Sequence, residues 1–209
     1  MTDEPIRIVP YDPKWPERFE RERAALNGTI GEWVDGGVHH VGSTAVRGLA
    51  AKPVIDILVG VKSLEESRAC FERLGGLRYL YAPYRSEEMH WFCKRDPSRR
   101  THHLHLIPTG SPRFNDELAF RDYLRAHRDV AEAYGALKRR LAEEFTNDRE
   151  AYTEGKTEFI RVTVGHTGDP DKQRAAGAPK HATHHAGKAG KLVARVLIAS
   201  RRWDVQDGA

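Results

Sequence analysis

The sequence predicts an α+β domain built on a mixed β-sheet, followed by a tail without a core of its own. Three observations carry this reading. Strand-like stretches come first and helix-like ones afterwards, an order that lays helices beside one sheet instead of alternating them with its strands. Two of the strand-like stretches, Val54–Val59 and Thr101–Pro108, are apolar runs interrupted by an aspartate and by histidines. After Gly165 the chain turns to Gly, Ala, Lys and His and loses its bulky apolar residues until Leu192, so it cannot bury enough surface to fold alone.

With 209 residues, 39% hydrophobic and 31% charged, the chain suits one sizeable soluble domain with an appendage. No apolar run reaches the roughly 18 residues a membrane span needs. The opening MTDEPIRIVPYDPKW lacks the layout of a secretory signal. Two cysteines, Cys70 and Cys93, argue against a disulfide framework or a cysteine zinc site. A cytoplasmic protein is expected. The net charge of +4 comes from residues 166–209, which hold 8 basic and 4 acidic residues, whereas residues 1–165 hold 26 of each. The charge therefore gives the domain no case for nucleic-acid binding. It leaves that role, or an acidic partner or metal held by His181, His184 and His185, open for the tail.

Along the chain, Pro5–Tyr11 reads as an extended lead-in. A helix is predicted over 13–34, with Trp15, Phe19, Leu26, Ile30 and Trp33 on one face, Asp12 as N-cap and Gly36-Gly37 closing the segment. Strands follow at about 37–42 and 53–60. Ser63 and Glu66, at capping-box spacing, open a helix that stops at Gly75-Gly76. Leu77–Pro83 and Met89–Lys94 are two further strands, and residues 95–100 a turn. In the strand Thr101–Pro108, alternation sets His103, His105 and Ile107 on one face and His102, Leu104 and Leu106 on the other. Residues 115–145 are helical with a break near His127–Asp129. A last helix, 149–164, is capped by Asn147 or Asp148.

The stretch from His39 to Gly60 concentrates the chemistry. A strand that ends in Gly42-Ser43 lets backbone approach a ligand closely, and the serine hydroxyl, Thr44 and nearby N–H groups can hold phosphate oxygens. Asp56 then stands inside an apolar strand, where a charge is costly unless it is paired, bound to metal or solvated in a cleft. One reading gives Asp56 a divalent metal ion beside bound phosphates. The other pairs it with Lys52, Arg47 or a histidine. His103 and His105, two apart on one strand, can share a small site with it, and imidazoles favour Zn²⁺, Fe²⁺ or Mn²⁺-like ions. Lys52 and Lys156 are the candidate phosphate-facing cations, and Tyr84 and Arg85 candidate neighbours.

The run HVGSTAVRGLAAKPVIDILV resembles the signature of the GrpB family, and YDPKWPERFERE, THHLHLI and YTEGKTEFI resemble the same family in the same order, over about residues 5–165. The resemblance implies a nucleotidyltransferase-like fold, a mixed sheet with flanking helices and a helical C-terminal half, and leaves residues 166–209 unmatched, where composition predicts a disordered tail. It implies binding of a nucleotide or phosphorylated small molecule at Gly42, Ser43, Thr44, Lys52 and Lys156. It also implies metal-dependent nucleotidyl transfer with a divalent metal ion on Asp56, His103 and His105, or a non-catalytic module similar to the extension of some dephospho-CoA kinases. Active enzymes of that wider superfamily carry two acids at i and i+2 on the strand; here Asp56 fills the first position and Leu58 the second. Arg47 stands where the family usually has proline, adding a cation beside the expected phosphate site, and His39 stands where an acid is usual.

Overall fold

The computed structural model of the protein describes residues 4–96 and 99–165. The expectations for residues 166–209 (disorder, the histidine arm and a partner for it) lie outside the described residues.

Five strands form one sheet in the order β1-β2-β5-β4-β3. They are β1 (Val34–Val41), β2 (Ile55–Val61), β3 (Tyr79–Tyr81), β4 (His90–Asp96) and β5 (Arg99–Pro108). The central pair, β2 with β5, is parallel and every other pair is antiparallel, so the sheet is mixed as expected. A parallel pair needs a long crossover, and everything from Lys62 to the start of β5 serves as that crossover.

The two faces of the sheet have different partners. One face packs Ile55, Ile57, Val59, Leu104, Leu106 and Phe92 against α1 (Trp15–Ile30) and α3 (Phe71–Gly76). The inward stripe of α1 is Trp15, Phe19, Glu22, Leu26 and Ile30, a helical period. Its one carboxylate is tolerated because Lys94 Nζ donates to both Glu22 oxygens, at 2.6 and 2.8 Å. The opposite face carries a small apolar cluster around Leu58, Val41, Ile107 and Phe114 and is otherwise left to the candidate site. A second core, built on Tyr134, Leu137, Leu141, Tyr152 and Phe159, lies in the helical half.

Element boundaries depart from the sequence reading where short-range signals competed. The first helix stops at Ile30, followed by a 3-10 turn over Gly31–Trp33, because Gly28 and Gly31 weaken its last turn. Gly36 and Gly37 belong to β1, whose register with β2 shifts between Val34 and Val38. Ser63 caps α2 (Leu64–Ser67) by accepting from Glu66 N at 3.1 Å. The long helical stretch divides at His127, which is extended at φ −119 and ψ 90, into α4 (Pro112–Ala126) and α5 (Arg128–Glu144). Asp148 caps α6 (Arg149–Glu154) through Ala151 N. A break at Gly155-Lys156 separates α6 from α7 (Thr157–Gly165), where one helix was expected.

The shifted register in β1 brings two backbones close at Gly60. A Cβ there would lie 2.6 Å from Gly36 Cα and 2.8 Å from Thr109 Oγ1, contacts that backbone cannot relieve cheaply. Gly60→Ala is expected to destabilise the domain by about 1–3 kcal/mol. Thermal unfolding followed by circular dichroism should show a melting point several degrees lower, and an unchanged melting point would refute the close approach.

Candidate functional site

The site grows from the register of the two central strands. Asp56 lies level with His103, and Leu58 with His105. Side chains level on neighbouring strands share a face, so these four form one patch on the face turned away from α1. Val41, level with Asp56, and Trp91, level with His105, extend it.

Beyond Val41 the chain turns through Gly42, at φ +67. A Cβ on Gly42 would sit 2.3 Å from Asp56 Oδ2, so the left-handed backbone and the seat of the carboxylate both require glycine. A 3-10 turn, Ser43–Ala45, follows. The buried Thr44 hydroxyl donates to Val54 O at 3.3 Å and accepts from His40 Nε2 at 2.9 Å. That side chain therefore ties the turn to the strand that follows it. Its hydroxyl is spent inside the fold.

His103 Nδ1 donates a 2.8 Å hydrogen bond to Asp56 Oδ1. Burial pushes the Asp56 carboxyl upward, but the hydrogen bond from His103 and the field of His105 and Lys156 outweigh it and hold the group below the usual carboxylate range. Burial dominates at His103 and keeps its imidazole below the ordinary value despite Asp56. The pair is thus an ionised carboxylate against a neutral imidazole. His103 Nε2 is buried without a hydrogen-bond partner. Next to it, His105 Nδ1 bonds Glu117 Oε2 at 3.2 Å, and Arg113 holds Glu117 Oε1 at 3.3 Å. Burial depresses the His105 imidazole, but the charge and bond of Glu117 reverse this and raise it.

These pairings give Asp56, His103 and His105, the expected metal set, hydrogen-bond partners within the fold. Among the described residues no three His, Cys, Asp or Glu side chains are grouped to hold a metal ion. Asp56 and His103 are bonded to each other, His105 is bonded to Glu117, and the fully buried Leu58 occupies the place of a second carboxylate. This donor set does not fit a two-metal centre, which needs carboxylates free to bridge the ions. Of the alternatives open for Asp56, pairing with a histidine is the one observed.

A cavity of about 1420 Å³ lies between this sheet face and the helical half. Gly42, Ser43, Thr44, Lys52, Asp56, His103, His105 and Lys156 all line it, as do Tyr84 and Arg85. Arg47 does not: it is exposed and outside the cavity, so the cation expected beside the glycine turn is absent from that wall. His39 also points elsewhere, with Nε2 2.6 Å from Gly36 O.

The helical half delivers the cations. The break at Gly155-Lys156 places the Lys156 amine 4.4 Å from the centre of the Tyr152 ring, and Lys52 reaches the same ring at 5.7 Å. Lys138, on α5, is only 2% exposed. Its Nζ donates to Ala50 O at 2.5 Å and lies 4.8 Å from the Tyr134 ring centre. Burial lowers the Lys138 amine to about 7, with Lys156 adding repulsion and Asp56 opposing it. Burial, then Arg149 and Lys156, lower Lys52 to about 8; burial lowers Lys156 to about 8, again opposed by Asp56. Among the described residues none of the three amines forms a salt bridge with a carboxylate. The arrangement is a half-enclosed pocket with three under-compensated cations around one carboxylate.

Sequence reasoning did not find Lys138, Arg149, Tyr134, Tyr152, Trp91, Arg100 or the Glu117–Arg113 pair, all of which line the cavity. One signal was available. Lys138 sits in the apolar stripe of α5, four residues after Tyr134 and three before Leu141, and a lysine inside a core stripe needs an explanation.

The chain matches the GrpB protein family over residues 5–165. UPF0157 protein PA4798 of Pseudomonas aeruginosa is 36% identical over 190 residues, 88% of this chain and 74% of that protein. UPF0157 protein YqkA of Bacillus subtilis is 34% identical over 75% of this chain but 46% of its own length, so the chain spans about half of that relative. A dephospho-CoA kinase of Mycolicibacterium paratuberculosis is 31% identical over 75% of this chain and 44% of the kinase. Among solved structures, the conserved protein GrpB from Enterococcus faecalis superposes with a TM-score of 0.71 at 31% identity, covering 81% of this chain and 99% of that one. The GLD-2/RNP-8 complex aligns at TM-score 0.52 and 12% identity, over 91% of this chain and 79% of that one, a likeness of fold alone. On the family match, the mixed sheet and these likenesses, the chain is a member of the GrpB protein family with a nucleotidyltransferase-like fold.

Proposed function

We propose that the domain binds a nucleotide or another phosphorylated small molecule in the cavity, with the phosphates lodged among Lys52, Lys138 and Lys156 beside the Gly42-Ser43 turn. The supporting observation is the lysine cluster itself. Three amines pushed down to about 8, 7 and 8 are cations whose charge the fold does not fully compensate. A polyphosphate supplies what is missing, through short charge-assisted hydrogen bonds in a site of reduced dielectric. The open turn at Gly42 and Ser43 adds backbone donors. Tyr134 and Tyr152 wall the cluster on the helical side.

Binding is preferred here to metal-dependent nucleotidyl transfer because the acids needed to bridge metal ions are absent or already bonded. A second reading is an accessory module that supports a separate catalytic unit. It is favoured by the kinase relative, of which this chain matches less than half. In that reading the same cavity binds the ligand and turnover occurs elsewhere.

The pH dependence has a definite sign. Bound phosphate raises the amine pKa values, so binding draws protons into the site wherever the free amines are partly neutral, above about 7. Isothermal titration with inorganic triphosphate should show affinity falling by about tenfold or more between pH 7 and 9, with proton uptake seen as a buffer-dependent heat. Affinity that is flat across this range, or net proton release, would count against the lysine site.

Lys138→Met separates stability from binding. The Lys138 amine is costly to keep charged in the fold, having been brought from 10.5 to about 7. Its contribution to stability is unfavourable at and below that value, and the penalty fades as pH rises towards the unfolded 10.5. The variant is therefore expected to be more stable than the parent at pH 7 by roughly 1 kcal/mol or more, with the advantage shrinking by pH 10, while triphosphate binding drops at least tenfold. A variant that is less stable at pH 7, or that binds normally, contradicts this role for Lys138.

A further inference from the structure

We propose that the cavity takes a di- or triphosphate without a bridging divalent metal, and that Asp56 is the counter-charge which the ligand displaces. This rests on the binding reading above and adds the ligand class and the sign of Asp56's contribution. In a metal-bridged site the strand carboxylates attract the cation and the cation attracts the phosphates, so each carboxylate strengthens binding. Here the same carboxylate stands differently.

One Asp56 oxygen accepts from His103 at 2.8 Å, and the other lies against the Gly42 backbone, where even a methyl group would meet it at 2.3 Å. The position two residues along the strand is the buried Leu58, level with His105, whose ring nitrogen is bonded to Glu117. Among the described residues no three His, Cys, Asp or Glu side chains are grouped around Asp56 to hold an ion. Positive charge arrives instead on Lys52, Lys138 and Lys156, and Asp56 favours the charged form of all three against their burial. In the free protein Asp56 thus serves as the internal anion of the cluster. A phosphate chain entering among the amines takes over that task and is itself repelled by Asp56.

Three amines contributed by the loop before β2, by α5 and by the break between α6 and α7 line the one cavity. A chain of two or three phosphates offers more charge and more oxygens to share among three lysines than a single phosphate does. The rest of the cavity leaves room for a larger group. Its lining also offers Trp91, with the Arg100 guanidinium 5.2 Å from the indole, and Tyr84 beside Arg85.

The test is isothermal titration of the full-length protein with inorganic triphosphate, once in EDTA and once in excess Mg²⁺, for the parent and for Asp56→Asn. Asparagine keeps an acceptor for His103 Nδ1 and removes the charge. The expected result is binding in EDTA, no gain in affinity with Mg²⁺, and about tenfold tighter binding by Asp56→Asn. Binding by the parent that gains tenfold or more with Mg²⁺ overturns the proposal. So does an Asp56→Asn protein, folded by circular dichroism, that binds no better or more weakly. Absence of binding by the parent under both conditions overturns the phosphate-site reading itself, and this proposal with it. The metal comparison is made on the unaltered protein, so it stays decisive if Asp56→Asn does not fold.

Discussion

A carboxylate held at the centre of an apolar β-strand has to be compensated, and the arrangement around Asp56 follows from how that is done. His103, level with it on the neighbouring parallel strand, supplies the hydrogen bond. Gly42 supplies the space, since any side chain at that turn would collide with the second oxygen. Both depend on register: a slip of one residue between β2 and β5 would send the imidazole to the α1 face. The Gly-Ser turn, the acid and the histidine strand therefore form one constraint, and none of them can be altered singly without disturbing the others.

The sheet divides its labour by face. The side towards α1 and α3 is a dry core whose buried charge, Glu22, is neutralised at short range by Lys94. The other side leaves charge under-compensated on purpose-built ground: Lys138 sits within a core stripe of α5, and a broken helix presents Lys156. Such groups lower the stability of the free fold. Natural folds tolerate that cost at functional sites, which is the physical reason the proposed phosphate ligand is assigned to this face and not to the better-neutralised polar groups elsewhere.

Much of the sheet was legible in the sequence, because strand alternation and the Val-Ile run are local signals. His103 and His105 fall on the face read from alternation, and the helix break at His127 lies where it was expected. The helix ends were less legible: Gly36-Gly37 looked like a terminator and proved to be part of a strand irregularity. The site was half visible. Its residues near the glycine turn carry a motif, but the partners of Asp56 and His105 are set by long-range packing. Glu117 reaches His105 from α4, and Lys138 comes from a helix more than eighty residues after Asp56. The hydrogen-bond partners of the expected three-ligand metal set were hidden for the same reason. Spacing can bring two imidazoles to one face, but it cannot tell whether each is already bonded to a different carboxylate.

A phosphate is drawn among the amines around Asp56 only if they are strained cations. A ¹³Cε NMR titration of Lys52, Lys138 and Lys156, assigned by single substitutions, measures this directly. Midpoints near 8, 7 and 8 are expected in the free protein, all rising when inorganic triphosphate is added. Three midpoints close to the ordinary lysine value of 10.5, unmoved by triphosphate, would contradict the lysine site.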